Sequence, residues 1–289
     1  MKKIAALDLG GSSIKFGLYN ENGDVLQNGG ENTINKDSLQ SVLDDIDNIV
    51  RCFDGVDAVG ISVPGIVDGK TSIISIGGAI EVLDKVDLRD ILSQKYGLPV
   101  AVENDANCAA LAEYWMGSAV GCKNVVCITI GTGIGGAIII DGKLHRGSHN
   151  FSGEFGLMIN PSNTLENFGY TATSRLLNRA SDIDANIKTG QDFFDMLNNI
   201  KMKHIYDDWI TRLAVGIYNI AMVIDPDKLL LGGGISVQAR IYTDIDDIIK
   251  KIANYPYSWR VQRCTFGNDA GKLGAVYKLL EEYGELWKL

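Results

Sequence analysis

The 289-residue sequence has no surplus of positive charge, no long apolar run and no paired cysteines. Lys and Arg number 27 against 36 Asp and Glu, giving a net charge of −9 at pH 7. Holding a nucleic acid takes clustered Lys and Arg to neutralise phosphates, so this balance argues against that class of partner and against an anionic membrane surface. No apolar stretch is long enough to span a bilayer, and the apolar run in the opening MKKIAALDLGG is cut by Asp8, too short for a signal peptide. A cytoplasmic chain without a membrane partner is expected. The cysteines (Cys52, Cys108, Cys122, Cys127 and Cys264) are odd in number and form no C-x-x-C pair. They read as free thiols in a reducing compartment, each a small buried hydrophobe. Only three histidines occur; His145 and His149 lie four apart in a Gly/Ser-rich loop without cysteine, a poor basis for zinc. Low-complexity tracts are absent too. Apolar content of 46% and charged content of 22% permit a sizeable core and argue against disorder.

One pattern is present twice. In IAALDLGGSSIKFGLYNENGDVLQNGG, Ile4–Leu7 reads as a strand, residues 10–13 as a tight loop and Ile14–Tyr19 as a second strand. Asn22-Gly23 then signals a hairpin turn before a third strand at Val25–Gln27. In NVVCITIGTGIGGAIIIDGKLHRG the same order returns: strand Val125–Ile130, Gly loop, strand Gly135–Ile140, the turn Asp141-Gly142, and a strand at 143–145. Duplication implies two similar halves, each presenting a glycine loop to one cleft. Leu39 to Phe53 repeats apolar residues at helical spacing. Strands are expected at 57–63, 100–103 and 228–231, and helices at 88–96, within 104–115, at 205–224 and at 272–283. Pro161–Tyr170 is the least regular region. The domain boundary is placed near Gly117–Gly121, giving domains 1–118 and 119–289, with the last helix, about 275–289, expected to pack back on the first domain.

The chemistry-bearing residues sit in the loops. Asp8-Leu9-Gly10-Gly11-Ser12 puts a carboxylate at a strand end, followed by glycines that let backbone amides approach phosphate oxygens; this suits Mg²⁺ beside a phosphate, with Lys15 adding charge if it turns back. An ordinary hairpin is the plainer reading. Gly131-Thr132-Gly133-Ile134-Gly135-Gly136 has more glycines than a turn needs. It is not a dinucleotide fingerprint, because a strand follows it rather than a helix. Opposite the first loop it would complete a phosphate clamp; alone it could be a bulged strand. Gly232-Gly233-Gly234 after a buried strand leaves a bare surface for a flat nucleoside, or else a permissive turn. Glu103-Asn104-Asp105 stands at the exit of a buried strand, where ligands of open α/β sheets bind. Phosphoryl transfer to an alcohol needs a group that accepts the hydroxyl proton, and Asp105 can do this. Asn104 supplies donors and acceptors suited to a polyol. Helix capping by Asn104 or Asp105 is the competing reading.

Together these motifs resemble the ROK family of sugar kinases within the actin-like ATPase superfamily. DLGGSSIK matches DxGGTxxK, with Ser12 for Thr. VENDANCAALAE matches ENDANxAAxAE, and IGTGIGGAI matches GTGIGGG with Ala137 as its last letter. Residues 151–156, FSGEFG, match AGExGH up to its final position, and LLLGGGI matches the adenosine-side glycines. The motifs stand in the family's order over nearly the whole chain. The resemblance implies two actin-like (ribonuclease H-like) α/β domains with a deep interdomain cleft and an ATP-dependent hexose kinase. Asp105 would be the catalytic base toward a sugar 6-hydroxyl. Asn104, Glu154 and Gly65 would bind the sugar. Asp8, Gly10, Gly11, Ser12, Lys15, Gly131, Thr132 and Gly133 would hold phosphates and Mg²⁺ (the metal at Asp8), and Gly233 and Gly234 would flank the adenosine. A homodimer is the family default.

The departures concern one end of the pocket. Many family members hold structural zinc through the His of AGExGH and a CxCGxxGCxE stretch. Here Leu157 replaces the His and 161–173 holds no Cys, so no zinc is expected. The stretch's closing Glu, which helps hold the anomeric end of the sugar, falls at Tyr170, with Glu166 a candidate substitute. Both changes make the C1/C2 side more apolar, compatible with an N-acetyl or glycosidic substituent. Glucose-type sugars, N-acetylmannosamine and β-glucosides are the expected acceptors. Three rivals remain. A repressor of this family carries a helix-turn-helix ahead of the first strand, which here begins at Ile4. A non-catalytic sugar sensor would not need Asp105. A kinase of this fold acting on glycerol or a carboxylate would not need Asn104 and Glu154.

Overall fold

The computed structural model describes residues 1–159, 166–253 and 257–287. The chain divides into two compact α/β units. Unit 1 comprises Met1–Trp115, Arg146–Phe151 and Asn268–Leu289; unit 2 comprises Met116–His145 and Ser152–Gly267.

In unit 1 the strands are β1 (Ile4–Leu9), β2 (Ser13–Tyr19), β3 (Val25–Thr33), β4 (Ala58–Val63), the short hairpin β5 (Ile66–Val67) and β6 (Ile74–Ile76), and β7 (Val100–Asn104). The main sheet has the order β3-β2-β1-β4-β7. β1 runs antiparallel to β2 and parallel to β4, which is parallel to β7. Helices are α1 (Leu39–Val50), α2 (Leu88–Tyr96) and α3 (Asp105–Met116). Alternation along the strands assigns the two faces. Leu7, Leu9, Val59, Ile61 and Val63 join Val42, Ile46, Leu88 and Leu92 of α1 and α2 in one core. The opposite face carries Asp8, Gly60 and Ser62, and there the last helix of the chain packs.

Unit 2 repeats this plan. Its strands are β8 (Val125–Ile130), β9 (Ile134–Ile140), β10 (Lys143–Leu144), β11 (Lys228–Gly232) and β12 (Val261–Arg263), in the order β10-β9-β8-β11-β12. β8 is antiparallel to β9 and parallel to β11, which is parallel to β12. Strand for strand this is the unit 1 topology, so the duplication extends through the whole sheet. The helices are α4 (Thr173–Ser181), α5 (Gly190–Asp195), α6 (Ile200–Ile224) and α7 (Ala239–Ile252). Asn199 caps the start of α6 and Asp225, left-handed at φ 49°, ends it before Pro226. Trp209 of α6 is buried and its indole N–H donates to the Thr171 carbonyl at 2.7 Å.

The last helix, α8 (Ala270–Tyr283), belongs to unit 1. It lies on β4, where a Cβ on Gly60 would come within 2.7 Å of the Ala275 carbonyl oxygen, and on α3, where a Cβ on Gly274 would sit 1.9 Å from the Cys108 carbonyl oxygen. Backbone meets backbone at both places, so the glycines are sterically required. Gly274→Val is expected to destabilise unit 1 by at least about 1–3 kcal/mol, the usual cost of forcing extra volume into a close-packed contact; urea denaturation measures it.

Several element ends differ from the sequence expectation. β3 runs on to Thr33 instead of stopping at Gln27, because its pairing with β2 continues past a register shift. α6 begins at Ile200, five residues before the expected Ile205, because Asn199 supplies the cap. The expected irregular stretch Pro161–Tyr170 lies partly outside the described residues; its end forms a 3₁₀ turn at Phe168–Thr171. Cys108, Cys127 and Cys264 are buried as expected, but Cys122 is only half-buried, in the loop before β8, and Cys52 is exposed, since it falls in the turn after α1 beyond the helix's apolar stripe.

Candidate active site

The first glycine loop is the β1–β2 turn of unit 1, closed by a hydrogen bond from the Gly10 N–H to the Ser13 carbonyl at 2.8 Å. Asp8, near the end of β1, accepts from the Ser62 hydroxyl at 2.6 Å. Burial raises its pKa above the ordinary carboxylate value, against the lowering pull of Ser62, Lys15 and Lys272. A buried carboxylate incompletely matched by its cations is a group that a further cation would stabilise. No cluster of three or more His, Cys, Asp or Glu able to hold a metal occurs among the described residues. One buried carboxylate at a strand end fits Mg²⁺ of the kind bound through one carboxylate plus phosphates and water. Lys15 donates to Asn268 Oδ1 at 3.2 Å. A second ammonium, missed in the sequence, touches the loop: Lys36 Nζ donates to the Gly11 carbonyl at 2.5 Å and to the Ala79 carbonyl at 3.2 Å.

The second unit 1 cluster is the head of α3. Asn104 is the cap: its Oδ1 accepts from the Asn107 N–H at 3.0 Å, and its Nδ2 donates to the Gly65 carbonyl at 2.6 Å and to Asp105 Oδ1 at 3.0 Å. Asp105 Oδ1 also accepts from the Ala106 N–H at 2.7 Å. The structure thus brings Gly65, Asn104 and Asp105 together, with Asp105 exposed at the first helical position. Gly65 adopts φ 89°, and a Cβ on it would lie 2.0 Å from the Ile76 carbonyl oxygen, so only glycine fits there.

In unit 2, Gly131, Thr132 and Gly234 line one cavity of about 500 Å³, together with Thr173, Ser174, Leu177, Gly190, Gln191 and Gln238. The start of α4 holds the glycine loop by its carbonyls: Ser174 Oγ donates to Thr132 O at 2.6 Å and Thr173 Oγ1 to Ile130 O at 3.3 Å. Two kinds of glycine meet here. Gly233 has φ 88°, and a Cβ on it would lie 2.1 Å from the Ile130 carbonyl oxygen, so the fold itself demands glycine. Gly131, Gly133 and Gly234 have no positive φ, and a Cβ on any of them would meet nothing within 4 Å. Packing does not explain those three, and at Gly131 and Gly234 the missing side chains leave bare backbone in the cavity wall. The α4 and α5 residues lining the cavity carried no motif in the sequence.

Glu154 lies in unit 2, half-buried, with its pKa raised by that burial. The turn before it is held by Gly136, where a Cβ would overlap the Phe155 ring at 2.2 Å. Leu157 is 59% exposed. Tyr170 lies under two guanidinium groups, Arg179 and Arg212, each 5.3 Å from its ring centre. Arg212 pairs with Glu166 at 2.7 Å and with Asp208 at 2.8 Å, and Asp208 also takes Arg179 at 2.8 Å. Glu166, a candidate for the missing sugar-binding carboxylate, is thus engaged in an ion pair. No helix among the described residues is long and apolar enough to cross a membrane.

The ROK family profile matches residues 4–282. A β-glucoside kinase of Listeria innocua is 34% identical, covering 97% of this chain and 98% of its own. A Listeria monocytogenes protein proposed to be an N-acetylmannosamine kinase superposes with a TM-score of 0.89 at 31% identity, covering 97% of this chain and 99% of the other. A ROK family glucokinase from Streptomyces griseus, solved with glucose and AMPPNP, superposes with a TM-score of 0.81 at 25% identity, covering 95% and 98%.

Proposed function

The chain belongs to the ROK family and is an ATP-dependent sugar kinase, and from that premise we propose that it phosphorylates the 6-hydroxyl of a β-glucoside with Asp105 as the base. The observation that carries the base assignment is the head of α3. There Asn104 does the capping, while Asp105 stands exposed with its carboxylate oriented by the Ala106 N–H and the Asn104 amide.

In the reaction the sugar oxygen attacks the γ-phosphorus of ATP, the bond from that phosphorus to the β,γ-bridging oxygen breaks, and the hydroxyl proton passes to Asp105. Little covalent help is needed in such a transfer; positioning and charge neutralisation dominate. Gly65, Asn104 and Glu154 hold sugar hydroxyls. Gly10, Gly11 and Ser12, and Gly131, Thr132 and Gly133, take phosphate oxygens, with Lys15 adding charge, and Gly233 and Gly234 flank the adenosine. Asp8 would hold Mg²⁺, which when bound neutralises phosphate charge.

The β-glucoside is favoured over free glucose by the family resemblance, which sets Leu157 in place of the zinc-ligating His and Tyr170 in place of the carboxylate at the anomeric end, and by the similarity to the Listeria innocua β-glucoside kinase. An ADP-release assay over glucose, mannose, fructose, N-acetylmannosamine, N-acetylglucosamine and cellobiose tests this. The highest kcat/KM is expected for cellobiose. Strong preference for free glucose would overturn the acceptor assignment, and no turnover on any sugar would favour a sensor.

Glu154 adds a pH signature. As a carboxylate it accepts from sugar hydroxyls; once protonated it loses that capacity in part. Its raised pKa places this loss above the ordinary Glu range. The KM for the sugar should therefore rise as pH falls through that raised value, and Glu154→Gln should flatten the dependence.

A further inference from the structure

Among the charged groups outside the assigned site, one is both buried and bound to the head of α3. Glu103 is 0% exposed, immediately before Asn104. Its Oε1 accepts from the Asn104 N–H at 2.8 Å, from Asn107 Nδ2 at 2.9 Å and from Arg146 Nη1 at 3.1 Å, and its Oε2 accepts from Arg146 Nη2. The guanidinium is bidentate, the geometry that fixes a carboxylate in plane as well as in place. Burial alone would lower the Arg146 pKa, but Glu103 beside it raises it overall.

Arg146 reaches this point from the segment Arg146–Phe151, which unit 1 draws from the second half of the sequence. The segment clasps the turn after β5. Asn150 Nδ2 donates to Asp68 Oδ2 at 2.9 Å and the Gly69 N–H donates to Asn150 Oδ1 at 3.2 Å. Gly69 is pressed on the Arg146 chain, where a Cβ would sit 2.3 Å from Arg146 Cδ. The guanidinium is therefore held at both ends, by its stem on Gly69 and by its fork on Glu103.

We infer that Arg146 is a positioning residue for the phosphoryl transfer: by clamping Glu103 it fixes the Asn104 peptide and the first turn of α3, and so the direction of the Asp105 carboxylate. The inference rests on the reading of Asp105 as the base. Glu103 ties the peptide just before Asp105 and the side chain two residues after it, so a loosened Glu103 tilts the carboxylate between those two points. Misplacement of a reacting group by about 1 Å costs on the order of 10²-fold in rate.

Arg146→Lys tests this in the full chain. Lysine keeps the charge on Glu103 but cannot grip both oxygens in one plane. The expected result is a fall in kcat on the order of 10²-fold, with the KM for ATP and the melting temperature little changed. The same substitution in an Asp105→Asn background should cost nothing further, because the group it positions is already disabled. Wild-type kcat in a folded Arg146→Lys, or an equal loss in both backgrounds, would overturn the inference. Should the lysine variant fail to fold, the pair Glu103→Leu, Arg146→Met removes both buried charges together and leaves neither unpaired; a folded pair variant with wild-type kcat would overturn it as well. An impaired Asp105→Asn beside an unimpaired Arg146→Lys would sink this inference alone, whereas near-normal turnover in Asp105→Asn would remove the base assignment and the inference with it.

Discussion

Asp105→Asn should lose on the order of 10²–10⁴ in turnover, the usual range for a proton-transfer group, and should still bind ATP. The substitution isolates one property. Asparagine keeps an oxygen in place of Oδ1 to accept from the Ala106 N–H and from Asn104 Nδ2, so the local hydrogen bonds survive. The shape is unchanged. What disappears is the negative oxygen that, in the proposed reaction, takes a proton as the sugar hydroxyl attacks. The loss of one charge at the start of α3 costs only about 0.3–1 kcal/mol of helix stability, too little to unfold the chain or to explain a large kinetic effect. The nucleotide groups proposed in unit 2 are untouched, so ATP affinity measured by calorimetry should match the wild type. Turnover near normal would take the base role away from Asp105.

The second large effect is expected at Gly131 and Gly234. Valine at either position meets no protein atom in its Cβ shell, and neither backbone is in the left-handed region. Folding should tolerate both changes, with the melting temperature shifted by a few degrees at most. Binding should not tolerate them. Each glycine lines the unit 2 cavity, and a branched side chain there occupies the surface on which phosphates or the nucleoside would lie. A rise of ten- to hundredfold in the KM for ATP is expected, corresponding to roughly 1.4–2.8 kcal/mol of lost binding. Gly233→Val is the control with the opposite character: its Cβ would overlap the Ile130 carbonyl, so it should fail by misfolding. Stable Gly131→Val and Gly234→Val variants with normal KM for ATP would show that the cavity serves something else.

The sheets were legible because alternation and punctuation agree with each other. Gly10-Gly11, Asn22-Gly23, Gly131–Gly133 and Asp141-Gly142 mark the strand ends closely, and buried central strands read as continuous apolar runs. The shared strand order of the two units follows from that duplicated pattern. α7 is absent from the sequence expectation although Ile241, Ile245 and Ile249 are spaced four apart and all buried, because its apolar stripe has neither a side-chain cap nor a motif beside it. α4 and α5 are short, and α5 announces itself only through the Thr189–Asp192 capping box. Within the site, residues near in sequence could be grouped from sequence. Asn104, Asp105 and the strand exit before them form one such group. Arg146 could not be, because nothing in the sequence pairs it with Glu103 across 43 positions. Lys36 is similar: it lies 25 residues from the Gly11 carbonyl that it touches, in a stretch with no recognisable pattern. The engagement of Glu166 by Arg212 likewise depends on α6 folding back on the turn at Phe168–Thr171.

In the proposed reaction phosphate passes from ATP to a sugar 6-hydroxyl by means of Asp105. Nuclear magnetic resonance of the product formed from cellobiose and ATP tests it most directly, run beside the Asp105→Asn variant. A phosphoester on the 6-oxygen of the non-reducing glucose is expected with the wild-type protein, and a product forming at least about a hundredfold more slowly with the variant. A phosphoester on another oxygen, or the same product at the same rate from both proteins, would contradict it.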